Sequence, residues 1–107
     1  MIVLDTNVVS EMVRLRPNAR VTHWLRAQPA ASVFTTAITE AEILYGVSLL
    51  PNGRRRNSLL NAVRLIFDED MAGRMLPFDA DAAPHYADIA AQRRRDGQPI
   101  SAFDAQI

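Results

Sequence analysis

The first five residues restrict the fold more than any others in the chain. Ile2-Val3-Leu4 is a continuous apolar run that stops at Asp5, and such a run suits a strand buried on both faces, as in a parallel sheet under helices. The periodicity then changes. Val8, Val9, Met12, Val13 and Leu15 recur at helical spacing until Pro17, and Val21, Trp24 and Leu25 carry a second short helix until Pro29. Ser32 to Thr35 reads as a second strand, and Ile38 to Leu50 as a helix ended by Pro51. Asn52-Gly53 supplies a turn. After the Arg54-Arg55-Arg56 run, Leu59, Leu60, Val63, Leu65, Ile66 and Phe67 mark a further helix that dissolves into Asp68-Glu69-Asp70. Arg74 to Phe78 is a weak third strand, since Pro77 cannot donate to a ladder. Asp79 or Asp81 caps a long helix whose last turn holds Arg93-Arg94-Arg95 and which Gly97 closes. Ser101 opens a last helix. Strand, helices, strand, helices, strand, helix is the order of an α/β domain with a mainly parallel sheet.

Composition narrows the chemistry. Acidic and basic residues number 12 each, and 49% of the 107 residues are hydrophobic, so the chain has the apolar content to fold and lacks the uncompensated charge of a disordered one. Every basic residue is arginine, and cysteine is absent. That excludes a P-loop lysine, Schiff-base chemistry, thiolate nucleophiles and cysteine-held zinc. Zero net charge argues against holding nucleic acid by bulk electrostatics, so any such contact is local. With no stretch near the roughly 18 apolar residues of a membrane span and no charged segment ahead of the first apolar run, the expected location is cytoplasmic, away from membranes.

Ligands of open α/β sheets bind outside the carboxyl ends of the strands. Asp5 lies there, and Glu42, early in the helix after strand two, and Asp104, in the first turn of the last helix, can face the same rim. Carboxylates gathered in one pocket repel unless a cation neutralises them, and an all-oxygen set selects a hard ion, Mg2+ or Mn2+, suited to phosphodiester hydrolysis. Capping accounts for the same residues in another way. Thr39-Glu40-Ala41-Glu42 and Ser101-Ala102-Phe103-Asp104 both fit the capping box, and Asp5 can cap the helix that follows it. The two arginine runs suit RNA phosphates or solvated helix ends. His23 and His85 lack partners at metal-ligand spacing and read as ordinary, partly buried side chains; Trp24, Phe34, Phe67 and Phe78 read as core.

Four ordered blocks carry a resemblance that spacing does not supply. Ile2-Val3-Leu4-Asp5-Thr6-Asn7, Ile38-Thr39-Glu40-Ala41-Glu42-Ile43-Leu44-Tyr45-Gly46, Leu76-Pro77-Phe78-Asp79 and Pro99-Ile100-Ser101-Ala102-Phe103-Asp104-Ala105-Gln106-Ile107 together resemble a PIN-domain ribonuclease, nearest the VapC/FitB-type toxins of toxin–antitoxin pairs. The resemblance implies a PIN-like three-layer sandwich, a mainly parallel sheet flanked by helices, formed by residues 1–107 as one domain. It also implies a Mg2+- or Mn2+-dependent endoribonuclease, a VapB/FitA-like antitoxin that silences it, an RNA substrate and a homodimer. Asp5, Glu42 and Asp104 map onto the family's acids: Asp5 and Asp104 as the leading metal ligands, Glu42 as a ligand directly or through water, Thr6 as a supporting hydroxyl. Glu40 matches no catalytic position.

Family members continue through two further strands with a fourth acid between them. Both the break in apolar periodicity at Ile107 and the small number of strands accord with a domain whose C-terminal strands are missing. On the family's strand order, that leaves Ile2-Val3-Leu4 as an apolar edge open to another chain. An impaired remnant that only dimerises or binds an antitoxin is the alternative to an active nuclease.

Overall fold

The computed structural model describes residues 1–107, apart from the side chain of Phe103. Three strands, β1 (Ile2–Val3), β2 (Val33–Thr36) and β3 (Met75–Leu76), form a parallel sheet in the order β1-β2-β3. Ile2 pairs with Val33 and Val3 with Phe34; on the other side of β2, Thr35 pairs with Met75 and Thr36 with Leu76. The sheet is extended just past β1, where the Leu4 amide donates to the Phe34 carbonyl at 2.8 Å and the buried Thr35 hydroxyl donates to the Leu4 carbonyl at 3.1 Å. These two bonds fix the chain direction at the point where Asp5 leaves the sheet.

Helices α1 (Thr6–Met12), α2 (Ala19–Arg26), α3 (Ala37–Ser48), α4 (Arg54–Leu65), α5 (Ala82–Arg95) and α6 (Ala102–Gln106) flank the sheet. Leu4 and Val33 from the sheet meet Val9 of α1, Ile43 and Val47 of α3 and Val63 of α4 in one core. Val9 and Val63 are each 1% exposed, and full burial of a valine contributes about 1.5 kcal/mol. The contacts α1–α3 and α3–α4 therefore lock α3 between its neighbours. In this way β2 and α3 are held within the core, and Glu42 sits on α3.

Several expectations from the sequence need correction. The Val8-to-Leu15 periodicity runs too far: α1 ends at Met12, and Leu15 is 97% exposed. Helix α4 begins within the Arg54-Arg55-Arg56 run instead of after it, and the chain keeps turning through Asp70 as a π-helix over Ile66–Asp70. That wider turn still buries Ile66 and Phe67. Trp24 is 44% exposed because Leu25, its neighbour, is the α2 side chain that reaches the core. His23 and His85 are exposed, and Phe34 and Phe78 are half-buried. Phe78 packs edge-on against Tyr86, with centroids 6.0 Å apart. Asp79, not Asp81, supplies the side-chain cap at the start of α5, accepting from the amides of Asp81 and Ala82 at 3.1 and 3.2 Å. At the far end, Gly97 takes a φ of 73° and closes α5, with the Gln98 amide bonded to Arg93 and the Gly97 amide to Arg94.

Candidate active site

Three chain-distant segments meet at the carboxyl ends of β1 and β2. Asp5 follows β1 and caps α1: its backbone is extended, and Oδ1 accepts from the Val8 amide at 3.0 Å. The cap occupies one carboxylate oxygen, so capping and a site role coexist in the same side chain. Thr6 then begins α1 and aims its hydroxyl at α3.

Glu42 comes to this point because α3 starts earlier than the capping-box reading requires. The N-cap is Thr36, whose hydroxyl accepts from the Thr39 amide at 3.0 Å. Thr39 is therefore inside the helix, fully buried, and Glu42 is free of any capping task. Instead, Glu42 Oε2 accepts a short bond from the Thr6 hydroxyl, and the Thr39 hydroxyl lies 3.3 Å from that of Thr6. A hydroxyl has one proton, and the carboxylate is the stronger acceptor. Thr6 thus orients Glu42, with buried Thr39 behind it.

Asp104 arrives from the other side. The Ser101 hydroxyl accepts from the Asp104 amide at 3.1 Å and so starts α6; Ala105 is buried, while Asp104 is exposed. A single cavity of about 770 Å³ is lined by Asp5, Thr6, Asn7, Ala41, Glu42, Tyr45 and Asp104. All three acids expected from the sequence line it, and no basic side chain is among its described lining residues. Glu40 is not part of this wall. Thr39, Asn7 and Tyr45 join the site without any role that the sequence alone assigns; for Tyr45 the one signal is its place one turn after Glu42.

The donor set can be tested against the expected ion. Among the described residues, no three acidic or histidine side chains are drawn together into a ready-made coordination group. The arrangement is an open, all-oxygen cavity rather than a closed cage. Mg2+ dehydrates reluctantly and keeps several waters, so a few carboxylates around a roomy cavity suit it better than they would a fully protein-ligated ion. The oxygen donors and the space for water suit a hydrated divalent cation, but Asp5, Glu42 and Asp104 line the cavity without being gathered closely enough to hold one ion together directly.

The PIN domain family model matches residues 2–107. The chain is 41% identical, over its full length and 76% of the relative's, to VapC ribonuclease Y4jK of Sinorhizobium fredii. It is 43% identical to Toxin FitB of Neisseria gonorrhoeae, again over all of this chain and 77% of the relative. A solved structure of FitAB bound to an IR36 DNA fragment superposes with a TM-score of 0.90 at 43% identity, covering all of this chain and 75% of that one. The chain belongs to the PIN-domain family, in the branch of the VapC and FitB toxins. The parallel sheet flanked by helices is the fold expected from the resemblance. No helix of the described residues is long and apolar enough to cross a membrane.

Proposed function

We propose that this protein is a metal-dependent endoribonuclease toxin of a toxin–antitoxin pair, built as a single PIN domain and acting in the cytoplasm on RNA. The observation that carries the reading is the convergence of Asp5, Glu42 and Asp104 on one cavity without a basic residue among its described lining, in a chain 41% identical to a VapC ribonuclease. Asp5 and Asp104 would hold the ion, Mg2+ or Mn2+, with Glu42 as a further ligand, direct or through water. A bound divalent ion supplies an acidified attacking water and neutralises charge that develops on the scissile phosphate.

The residues themselves have separate tasks. Asp5 is held by the first turn of α1, so its carboxylate has little freedom to swing away from the cavity. Thr6 fixes the orientation of Glu42, as outer-shell donors do for metal-ligating carboxylates. Without a bound cation the same negative cavity repels phosphate, which makes RNA binding at this point conditional on the ion. An antitoxin partner and a homodimer belong to the same proposal.

Incubating the purified protein with RNA and Mg2+ tests the reading. Cleavage is expected with the ion, none with chelator, and a loss on the order of 10²-fold or more for Asp5→Asn. Asparagine caps a helix as well as aspartate does, so this variant keeps the fold and removes only the charge. Undiminished cleavage by Asp5→Asn would overturn the assignment.

A further inference from the structure

Packing within this chain does not account for Tyr45. It is 67% exposed, although large aromatic side chains gain most by burial, and the core takes Ile43 and Val47 from the same helix instead. Its position is nonetheless specific. It lines the carboxylate cavity beside Glu42, three residues and roughly 4.5 Å of helix rise further along α3. The residues around it are small: Ala41, one turn back, is exposed, and Gly46, next in sequence, has open space within 4 Å of where its Cβ would stand. Leu49, one turn on, is 67% exposed as well. The outer face of α3 is therefore an apolar strip with a tyrosine at the rim of the acidic cavity.

The electrostatics of the cavity show what such a strip is for. A phosphodiester brought to Asp5, Glu42 and Asp104 finds no arginine on the described lining residues, so its phosphate contacts there depend on the bound ion alone and further affinity has to come from elsewhere on the nucleotide. Base stacking can supply it, because every nucleobase has a π-face and an exposed aromatic ring offers a matching platform. From these placements we infer that Tyr45 is the substrate-positioning residue of this site, stacking against a base next to the scissile phosphate. The inference rests on the ribonuclease reading above and narrows its substrate. A base inside a duplex is already stacked on its neighbours, so the ring selects single-stranded or looped RNA over paired RNA.

The experiment compares the intact chain with Tyr45→Phe and Tyr45→Ala. Two readouts are used: Mg2+-dependent cleavage of a pool of random single-stranded oligoribonucleotides and of the same pool annealed to its complement, and fluorescence anisotropy of a labelled single-stranded pool. Loss of the ring should raise KM and weaken binding by about 5- to 150-fold, the range found when one stacked base loses its aromatic partner. The value of kcat should hold, Tyr45→Phe should behave as the parent does, and the annealed pool should be the poorer substrate for the parent. A merely structural tyrosine would shift the urea midpoint instead and leave the KM-to-kcat split alone.

Three results would count against the inference. If the parent cleaves and Tyr45→Ala matches it, stacking is wrong while the nuclease stands. If Tyr45→Phe falls as far as Tyr45→Ala, the hydroxyl and not the ring is at work, and the inference fails again. If the parent neither cuts nor binds RNA, the nuclease reading fails and takes this one with it. Binding without cutting leaves the anisotropy contrast between the phenylalanine and alanine variants to decide.

Discussion

Two of the molecule's cavities are of nearly equal size and opposite character. The first, about 770 Å³, is walled by Asp5, Glu42 and Asp104; the second, about 780 Å³, is walled by Arg14, Arg54 and Arg55 over Val13, Leu15, Leu59 and Ala62. A net charge of zero therefore hides a separation of charge across the surface. The comparison teaches that bulk charge says little about a site this local, because what a cavity attracts depends on the few groups within about a Debye length. It also separates two uses of helix ends. In the acidic cavity the charges agree with their helices: Asp5 caps α1, and Asp104 stands in the first turn of α6. At the arginine-lined cavity they disagree, for Arg54 and Arg55 open α4 after Gly53, which offers no side-chain cap. Cations at a helix N-terminus oppose the macrodipole.

The largest expected effect of breaking this division is on catalysis. Asp5→Asn should lower cleavage on the order of 10²-fold or more, beyond what loss of an outer-shell partner costs, with an unchanged urea midpoint. Asp5→Ala should match it in activity and lose about 1 kcal/mol of stability in addition, because alanine cannot cap α1. A variant pair with the reverse pattern would mean that Asp5 is only a cap.

Glu42→Gln keeps the shape of the side chain and an acceptor for Thr6 but weakens a charge-assisted bond. It should reduce stability by about 1 kcal/mol in urea unfolding while weakening Mg2+-dependent cleavage far more than that figure implies. Arg54→Glu tests the other cavity. It should raise stability by about 0.3–1 kcal/mol by matching the α4 dipole, seen as a higher melting temperature, and leave Mg2+-dependent cleavage unchanged.

The smallest effect is on pH dependence. Glu11 holds Arg14, a wall of the basic cavity, in a 2.9 Å ion pair and accepts from the Asn18 amide at 2.7 Å. The Asn18 amide bond foremost, then the Arg14 bond, lowers its pKa below the ordinary 4.5. A lowered folded-state value means that the stabilisation is present above pH 4.5 and disappears as pH falls through the folded value. Glu11→Gln should flatten that acid limb of the stability curve and leave the neutral region in place.

Much of the frame was legible in the residues, for definite reasons. Ile2-Val3-Leu4 does form the expected strand with Leu4 buried behind it, but Ile2 is half-buried and Val3 exposed, so the expected burial on both faces is met at Leu4 alone; Gly97 ends α5 because its φ of 73° suits no larger residue well. Helix limits were harder wherever local and tertiary signals disagreed. Thr39 looked like an N-cap, but Thr36 at the end of β2 took the role, so the sheet, not the capping pattern, set the start of α3. Leu15 continued an apolar rhythm that no packing partner supports. Likewise, Ile66 and Phe67 were placed in the core by a π-turn that has no sequence rhythm of its own. For the site, element order brought Asp5 to a strand end and allowed Glu42 and Asp104 to face the same rim, but capping explained the same acids equally well; choosing between the two needed the family resemblance, since their meeting depends on how α1, α3 and α6 pack. Thr6 and Thr39 show the limit most clearly, because a hydroxyl's partner 33 residues away leaves no trace in local pattern.

A calorimetric titration of the intact chain with Mg2+, repeated on Asp104→Asn, goes straight to the claim that separate segments share one cation. One ion per chain, bound by the parent and lost or sharply weakened in Asp104→Asn, is the result expected. Equal binding by both, or no specific binding by the parent, would contradict it.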